Sequence, residues 1–315
     1  MHIQDPELTP FLALAVFVYG LAFGSFLNVV IYRLPFGKSV VTPRSACPSC
    51  GVAIASYDNI PVVSWLLLRG RCRRCKARIS PRYLLVELLT ALVFLAVFLK
   101  FGASWATLKF TVFSFLLLGL IFIDAEHKLL PDKLTLPGFY IGALLSLLVP
   151  MPAFLMAFFP IHWPGAVPMG VALRLNSLIE ALFAAAVGSG LMFAVGEAYY
   201  RLRGVEGLGF GDVKLMAMIG AFLGTKLSLF VIFTGSLLGS IFGFAVMIVI
   251  WRKRTERWRV LRKIPGAEAR RRAWRSVPIA YQRFQIPFGV FLGSMAIAAL
   301  FIGDPLFRWY WGLFL

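Results

Sequence analysis

Charge is missing from long stretches of this sequence. Residues 11–32, 110–123, 141–161, 177–196 and 227–251 carry at most one charged side chain each. Several of these runs reach the roughly 18–20 apolar residues that cross a bilayer as a helix. They also lack the two-residue alternation, in segments of about ten, that a membrane β-barrel requires. A helical bundle remains, because only helices and closed barrels satisfy their own backbone in lipid. No internal repeat and no low-complexity segment is present. The first apolar segment follows Asp5 and Glu7 rather than a basic stretch, so no cleavable signal peptide is expected. Acids are scarce as well, 14 against 32 Lys and Arg, for a formal charge of +18. In a membrane chain such an excess belongs to inner loops facing anionic lipid, and no nucleic acid is expected as a partner.

Eight spans are expected, at about 10–32, 84–100, 106–124, 134–158, 175–199, 213–224, 227–250 and 285–303. With the N-terminus outside, the inner segments 33–83, 125–133, 200–214 and 251–284 hold 27 of the 32 Lys and Arg, an asymmetry that fixes the orientation. The expected fold is therefore an all-α polytopic membrane protein with a small cytoplasmic loop domain. Its parts are a first transmembrane helix (1–32), a four-cysteine loop (33–83), a transmembrane core (84–250), a basic cytoplasmic loop (251–284) and a last helix with an outer tail (285–315). Arg is mixed with Trp in the basic loop as in an interfacial helix. Gly235, Gly239 and Gly243 fall on one helix face and suit close helix packing.

There are only four cysteines, all between residues 33 and 83. "CPSCG" and "CRRCK" place Cys47 and Cys50, then 21 residues, then Cys72 and Cys75. Two such knuckles suit a tetrahedral thiolate site for a structural Zn²⁺. On the cytoplasmic side structural disulfides are disfavoured, and a redox-active CxxC pair is the competing reading. Zinc would staple a loop too short to build its own core.

The acids offer a second constellation. "TLKFTVFSFLLLGLIFID" ends on Asp124, and "GLGFGDVKL" places Asp212 at the start of another span. Both fall at the inner end of their helices, which makes them a candidate aspartyl dyad. Carboxylates brought together share a proton, so that one serves as acid and the other as base towards water and a peptide carbonyl. Gly209 and Gly211 would let backbone and an extended substrate come close. Taken singly, Asp212 also reads as a helix cap, and so does Asp132 in "LLPDKLT". Glu87, Glu180 and Glu197 lie in or near spans and leave a proton-coupled transporter open as an alternative.

"GSFLNVVIYRLP" (24–35), the two CxxC knuckles, "SPRYLLVELLTAL" (80–92), "IDAEHKLLPDKLTLP" (123–137) and "GLGFGDVKL" occur in this order. The set resembles the bacterial type IV prepilin peptidases, from residue 24 to about 224. The resemblance implies a GxGD-type intramembrane aspartyl peptidase of the bacterial inner membrane, with Gly209, Gly211 and Asp212 supplying the motif and Asp124 the first catalytic aspartate. Asp132 would be positional. Substrates would be type IV prepilins and type II secretion pseudopilins, cut after a glycine at the cytoplasmic face. It also implies N-methylation of the new N-terminus, usually Phe, with S-adenosylmethionine as donor, an activity associated with the cysteine loop. A peptidase lacking the methyltransferase activity is the alternative. No glycine-rich strand–loop–helix is present, so no residue is assigned to S-adenosylmethionine. The apolar part of the substrate is expected along Gly20, Gly24 and Asn28, which share a face of the first span. The basic segment 251–284 departs from the family pattern and is expected to meet anionic lipid or an assembly partner.

Overall fold

The computed structural model describes residues 8–312 apart from 153, 156–160, 162, 164–166, 206 and 283–285. Helices dominate it: α1 (Leu8–Arg33), the short α2 (Val63–Leu67), α3 (Arg82–Phe101), α4 (Trp105–His127), α5 (Asp132–Leu148), α6 (Met169–Arg203), α7 (Phe210–Arg262), α8 (Gly266–Gln282) and α9 (Phe288–Gly312). Among the described residues the only β pairing is two isolated bridges, both in the cysteine loop. Among the described residues, six helices are long and apolar enough to cross a membrane.

The two remaining expected spans have separate explanations. The helix expected over 134–158 ends at Leu148. Pro150 and Pro152 follow and cannot supply the amide donors that would continue it. Residues 153 and 156–158 of that span lie outside the described residues. The spans expected at 213–224 and 227–250 both lie within α7, which breaks at Gly224 (φ 77°, ψ 173°). That conformation is open to glycine and to few other residues.

Packing shows that α7 reverses there. On its first arm, a Cβ added at Gly220 would strike the Ala184 backbone of α6, and Phe222 stacks on Phe113 of α4 at 4.6 Å. On its second arm, Leu227 meets Gly303, Gly235 meets Leu292 and Gly239 meets Phe288, so this arm runs antiparallel to α9. Leu130 touches both Gly211 and Gly289. Residues 211 and 239 therefore lie at one end of the bundle and Gly224 at the other. Fully buried Glu180 secures the turn, accepting from the Thr225 and Leu155 amides at 2.9 Å each. Phe113, Leu117, Met216, Ile219, Phe222 and Leu292 form the centre of the core between α4, α7 and α9.

Residues 251–282 of the basic segment form a helical hairpin, while 283 and 284 lie outside the described residues. The second arm of α7 runs on to Arg262, and α8 folds back along it. Trp251 Nε1 donates to the Arg270 carbonyl at 3.2 Å, Arg254 donates to the Ser276 carbonyl at 3.0 Å, and Ala269, Ala273 and Val277 are buried between the helices. The cause is the spacing of these small residues at four positions, which gives α8 one apolar face beneath its arginines.

Candidate active site

Asp124 stands one turn before the end of α4, where Lys128 takes a left-handed conformation and its amide donates to the Asp124 carbonyl. The Asp124 side chain is buried, and its Oδ2 accepts from the Val290 amide at 3.0 Å. That amide belongs to the first turn of α9, where N–H groups have no helical partner and favour a carboxylate. Asp212, also buried, sits in the first turn of α7, its amide donating to the Gly209 carbonyl at 3.0 Å. Its carboxyl lies within electrostatic range of that of Asp124. The structure thus brings together two acids that are 88 positions apart in "IDAEH" and "GFGDV".

Glycines make the room. A Cβ at Gly211 would come to 3.0 Å from Leu130 Cβ, and one at Gly289 would come to 3.0 Å from both Asp124 Oδ2 and Leu130 Cδ1. Gly207 similarly lies under the ring of Tyr199. Gly209 is the N-cap of α7 with ordinary extended angles, and a Cβ there would be 3.6 Å from Asp212 Oδ2. Asp132 does not join the pair. Its carboxylate accepts from Lys214 Nζ at 2.7 and 2.8 Å, tying the start of α5 to the first turn of α7 two residues from Asp212.

Asn28 sits elsewhere. It is buried between α1 and α3 and donates from Nδ2 to the Tyr83 carbonyl at 3.0 Å. The face it shares with Gly20 and Gly24 is closed by α3: added Cβ atoms would lie 2.5 Å from Ala91 Cα and 2.7 Å from Glu87 Cα. Small residues on this face allow that close helix packing, and α3 occupies the face in this structure. Glu87, Glu180 and Glu197 do not form a chain of free acids either. Glu87 accepts from the Val62 amide, Glu180 from Thr225 and Leu155, and Glu197 pairs with Arg201.

The four cysteines converge, their sulfurs all within 4.8 Å of one another and those of Cys47 and Cys75 3.7 Å apart. Sulfurs at about 2.3 Å from a tetrahedral Zn²⁺ stand at close to this separation, so the donor set fits the ion. The two knuckles repeat one another. Gly51 and Lys76 donate to the Cys47 and Cys72 carbonyls at 2.9 and 3.0 Å, both with positive φ, and each knuckle is closed by one antiparallel bridge. Hydrogen bonds from the backbone amides of Cys50 and Ser49 lower the Cys47 pKa to about 6. The Ala77 amide acts in the same sense on Cys75, but burial and the three neighbouring sulfurs outweigh it and raise that thiol to about 11. Crowded thiols of this kind resist losing every proton without a cation among them.

The cysteine loop is joined to the end of the bundle that carries the aspartates. Arg82 pairs with Glu126, and Phe36 packs edge-on against His127 at 5.3 Å. The site thus has parts that sequence reasoning did not single out: Leu130 and Lys214, which lie within the quoted motifs, and the Gly289–Val290 turn, which lies outside them. Pro287 before the last apolar run is a helix-start signal from which that turn was readable in place, though not its contact with Asp124.

Comparison with known proteins agrees with this arrangement. Residues 18–101 match the family profile described as Bacterial Peptidase A24 N-terminal domain, and residues 110–244 match that of the Type IV leader peptidase family. A prepilin leader peptidase/N-methyltransferase of Aeromonas salmonicida is 35% identical, over 94% of this chain and 92% of its own. Proteins of that same description from Myxococcus xanthus and Pseudomonas aeruginosa are 41% identical over 77% of this chain and 65% of theirs, and 33% identical over 94% and 92%. No solved structure matches the chain significantly. Both aspartates fall in the second matched segment and all four cysteines in the first, and the chain belongs to the type IV leader peptidase family.

Proposed function

We propose that this protein removes the leader from type IV prepilins and pseudopilins and then N-methylates the exposed residue. The observation that carries the cleavage reading is the meeting of Asp124 and Asp212, two buried carboxyls from separate helices at one end of the bundle. In this mechanism one carboxylate takes a proton from water as the oxygen attacks the scissile carbonyl. The protonated partner hydrogen-bonds the carbonyl oxygen, and a proton passes to the departing amine as the tetrahedral intermediate collapses. The two roles exchange within each turnover. The Val290 amide orients Asp124, and the Lys214–Asp132 pair fixes the helix start that presents Asp212.

The placement fits a chain of eight crossings in the inner membrane with its N-terminus outside and both aspartates at the cytoplasmic side, because the Arg-rich hairpin, the cysteine loop and the aspartates share one end. Cys47, Cys50, Cys72 and Cys75 would hold a structural Zn²⁺, which folds the loop and takes no part in peptide hydrolysis. S-adenosylmethionine would be the methyl-donating co-substrate. Exposed Arg252, Lys253, Arg257, Arg259, Arg270 and Arg271 on the hairpin would face anionic headgroups at the same side.

The test is a cleavage assay with a prepilin-like substrate and S-adenosylmethionine, read by mass spectrometry. A product starting after glycine and heavier by one methyl group is expected. Uncut substrate would sink the reading and return the buried acids to a transport role.

A further inference from the structure

We propose that Glu87 is a positioning residue for methyl transfer, holding the cysteine module in register with the peptidase bundle through the Val62 amide. This rests on the proposed bifunctional reading. The family resemblance associates the second activity with the cysteine loop, and residues 18–101 hold both the four cysteines and Glu87, whereas both aspartates lie in the second matched segment.

Val62 has φ 63° and ψ −54°, and the Val63 amide donates to the Pro61 carbonyl at 2.6 Å. This is a γ-turn with positive φ at its centre, the rare and strained form, here on a β-branched residue. Such backbone persists only where surrounding contacts hold it. The contact here is the Val62 amide, which donates to Glu87 Oε2 at 2.7 Å. Glu87 lies on α3 with only 8% of its surface exposed, at the seam where Gly24 of α1 allows close approach.

What the turn carries is the second knuckle. Val62 leads into α2, and α2 leads within five residues to Cys72. Ser64 Oγ donates to the Tyr57 carbonyl at 2.9 Å and accepts from the Ile60 amide at 3.1 Å. Asp58 receives bonds of 2.8 and 2.6 Å from Arg73, next to Cys72. Residues 57–73 therefore move as one block, and Glu87 pins that block to a membrane helix. The loop's two ends meet α4 at Glu126 and His127, two and three residues past Asp124. A new N-terminus released at the aspartates would emerge beneath a module that this bond and the two contacts with α4 seat together. There its free amine takes the methyl group from the sulfonium of S-adenosylmethionine, leaving S-adenosylhomocysteine and a proton.

The experiment uses the full chain in lipid nanodiscs with a prepilin-like peptide and S-adenosylmethionine. Cleavage rate, methylated fraction of product, bound zinc and tryptic protection of residues 69–78 are read for wild type, Glu87→Leu and Glu87→Gln. Glu87→Leu is expected to cleave at the wild-type rate and keep its zinc, while methylation falls by tenfold or more, a misplacement of about 1 Å being enough to cost about 10²-fold. Its loop should also open faster to trypsin. Glu87→Gln keeps an oxygen for the Val62 amide and should restore methylation and protection. Val62→Pro removes the same donor from the loop side without touching the bundle. Because proline fixes φ at about −65° where Val62 has 63°, it also opens the turn. It should unseat the module at least as far as Glu87→Leu, even if that variant folds poorly. Wild-type methylation in both Glu87→Leu and Val62→Pro would overturn the proposal, as would a parallel fall of cleavage and methylation in the two. If wild type cleaves without methylating, the second activity is absent and the methyl-transfer role falls with it. Protection then decides the seating contact by itself, and unchanged protection in both variants removes that too.

Discussion

Gly289→Ala tests whether the first turn of α9 is part of the working site. The added methyl carbon would sit 3.0 Å from Asp124 Oδ2 and 3.0 and 3.1 Å from the two δ-carbons of Leu130. Leu130 is itself pressed against Gly211, beside Asp212, so neither neighbour can retreat freely. Overpacking of this kind costs about 1–3 kcal/mol. Relief by moving the Asp124 carboxyl a few tenths of an ångström also strains its 3.0 Å bond from the Val290 amide. A hydrogen bond to a charged group is worth about 1.5–3 kcal/mol. Losing a good part of it in the transition state lowers kcat by about tenfold to a hundredfold, at 1.4 kcal/mol per tenfold. KM should change little, because the substrate does not gain or lose a contact. The assay is steady-state cleavage of a fluorogenic leader peptide by purified protein, beside Gly190→Ala, where an added Cβ meets nothing within 4 Å. Wild-type kcat in a correctly folded Gly289→Ala would refute the reasoning, since the α9 turn would then have no hold on the Asp124 carboxyl in any catalytic step.

Other consequences are direct. Asp124→Asn and Asp212→Asn keep size and remove the acid, so each should slow cleavage by at least about 10²-fold with the far-ultraviolet circular dichroism unchanged; normal turnover in either would reduce that aspartate to a helix cap. Lys214→Met unties Asp132 from the start of α7, and because Asp132 is 56% exposed the effect should be small, under about tenfold in kcat. Adding Asp132→Asn to Lys214→Met should then cost nothing more, a result that a double-mutant cycle reads directly. Elemental analysis should find one zinc per chain, lost in Cys72→Ser; chelation should abolish methylation and spare cleavage, and loss of both would place the metal in the peptidase as well. The Arg73 guanidinium hydrogen-bonds Asp58 and holds its carboxyl below the usual range. Its contribution to the loop is thus complete above the ordinary carboxylate pKa of about 3.9 and disappears only as pH falls through the lowered value. Hydrogen-exchange protection factors of residues 57–73, with the pH-dependent intrinsic rate divided out, should therefore be flat from neutral pH to about pH 5 in wild type, and lower throughout that range in Asp58→Asn.

Which of these features the sequence could disclose follows from their range along the chain. Uncharged runs made the helices readable, since the bilayer leaves one solution for a continuous apolar stretch. The CxxC spacing made the cysteine cluster readable, since each knuckle is closed by bonds spanning only five or six residues. The reversal within α7 was readable because the apolar stretches 213–224 and 227–250 together are too long for a single span, and Gly224 is the residue that admits the turn. Side chains on one helix face were a poorer guide. Gly20, Gly24 and Asn28 look the same whether they receive a substrate or a neighbouring helix, and here α3 occupies them.

The contacts that complete the site were hidden for the opposite reason. Val290 meets Asp124 across 166 positions, and Val62 meets Glu87 through a backbone amide that any residue except proline offers. A main-chain donor leaves no mark on composition or spacing, so a sequence can name the acid and stay silent on what aims it. In this fold the two kinds of contact also divide the labour. The acids and thiols come from motifs that recur in one place each, while their orientation depends on helix starts and a strained turn supplied from elsewhere in the chain. Substitutions at Gly289 or Val62, neither of which carries a reactive group, should therefore separate the two proposed activities more cleanly than any change to the aspartates or the cysteines. Gly289→Ala should impair cleavage and leave the cysteine module seated, whereas Val62→Pro should spare cleavage and release the module. If both variants lost both activities in equal measure, the bundle and the loop would be one catalytic unit, and the boundary between residues 101 and 110 would carry no functional meaning.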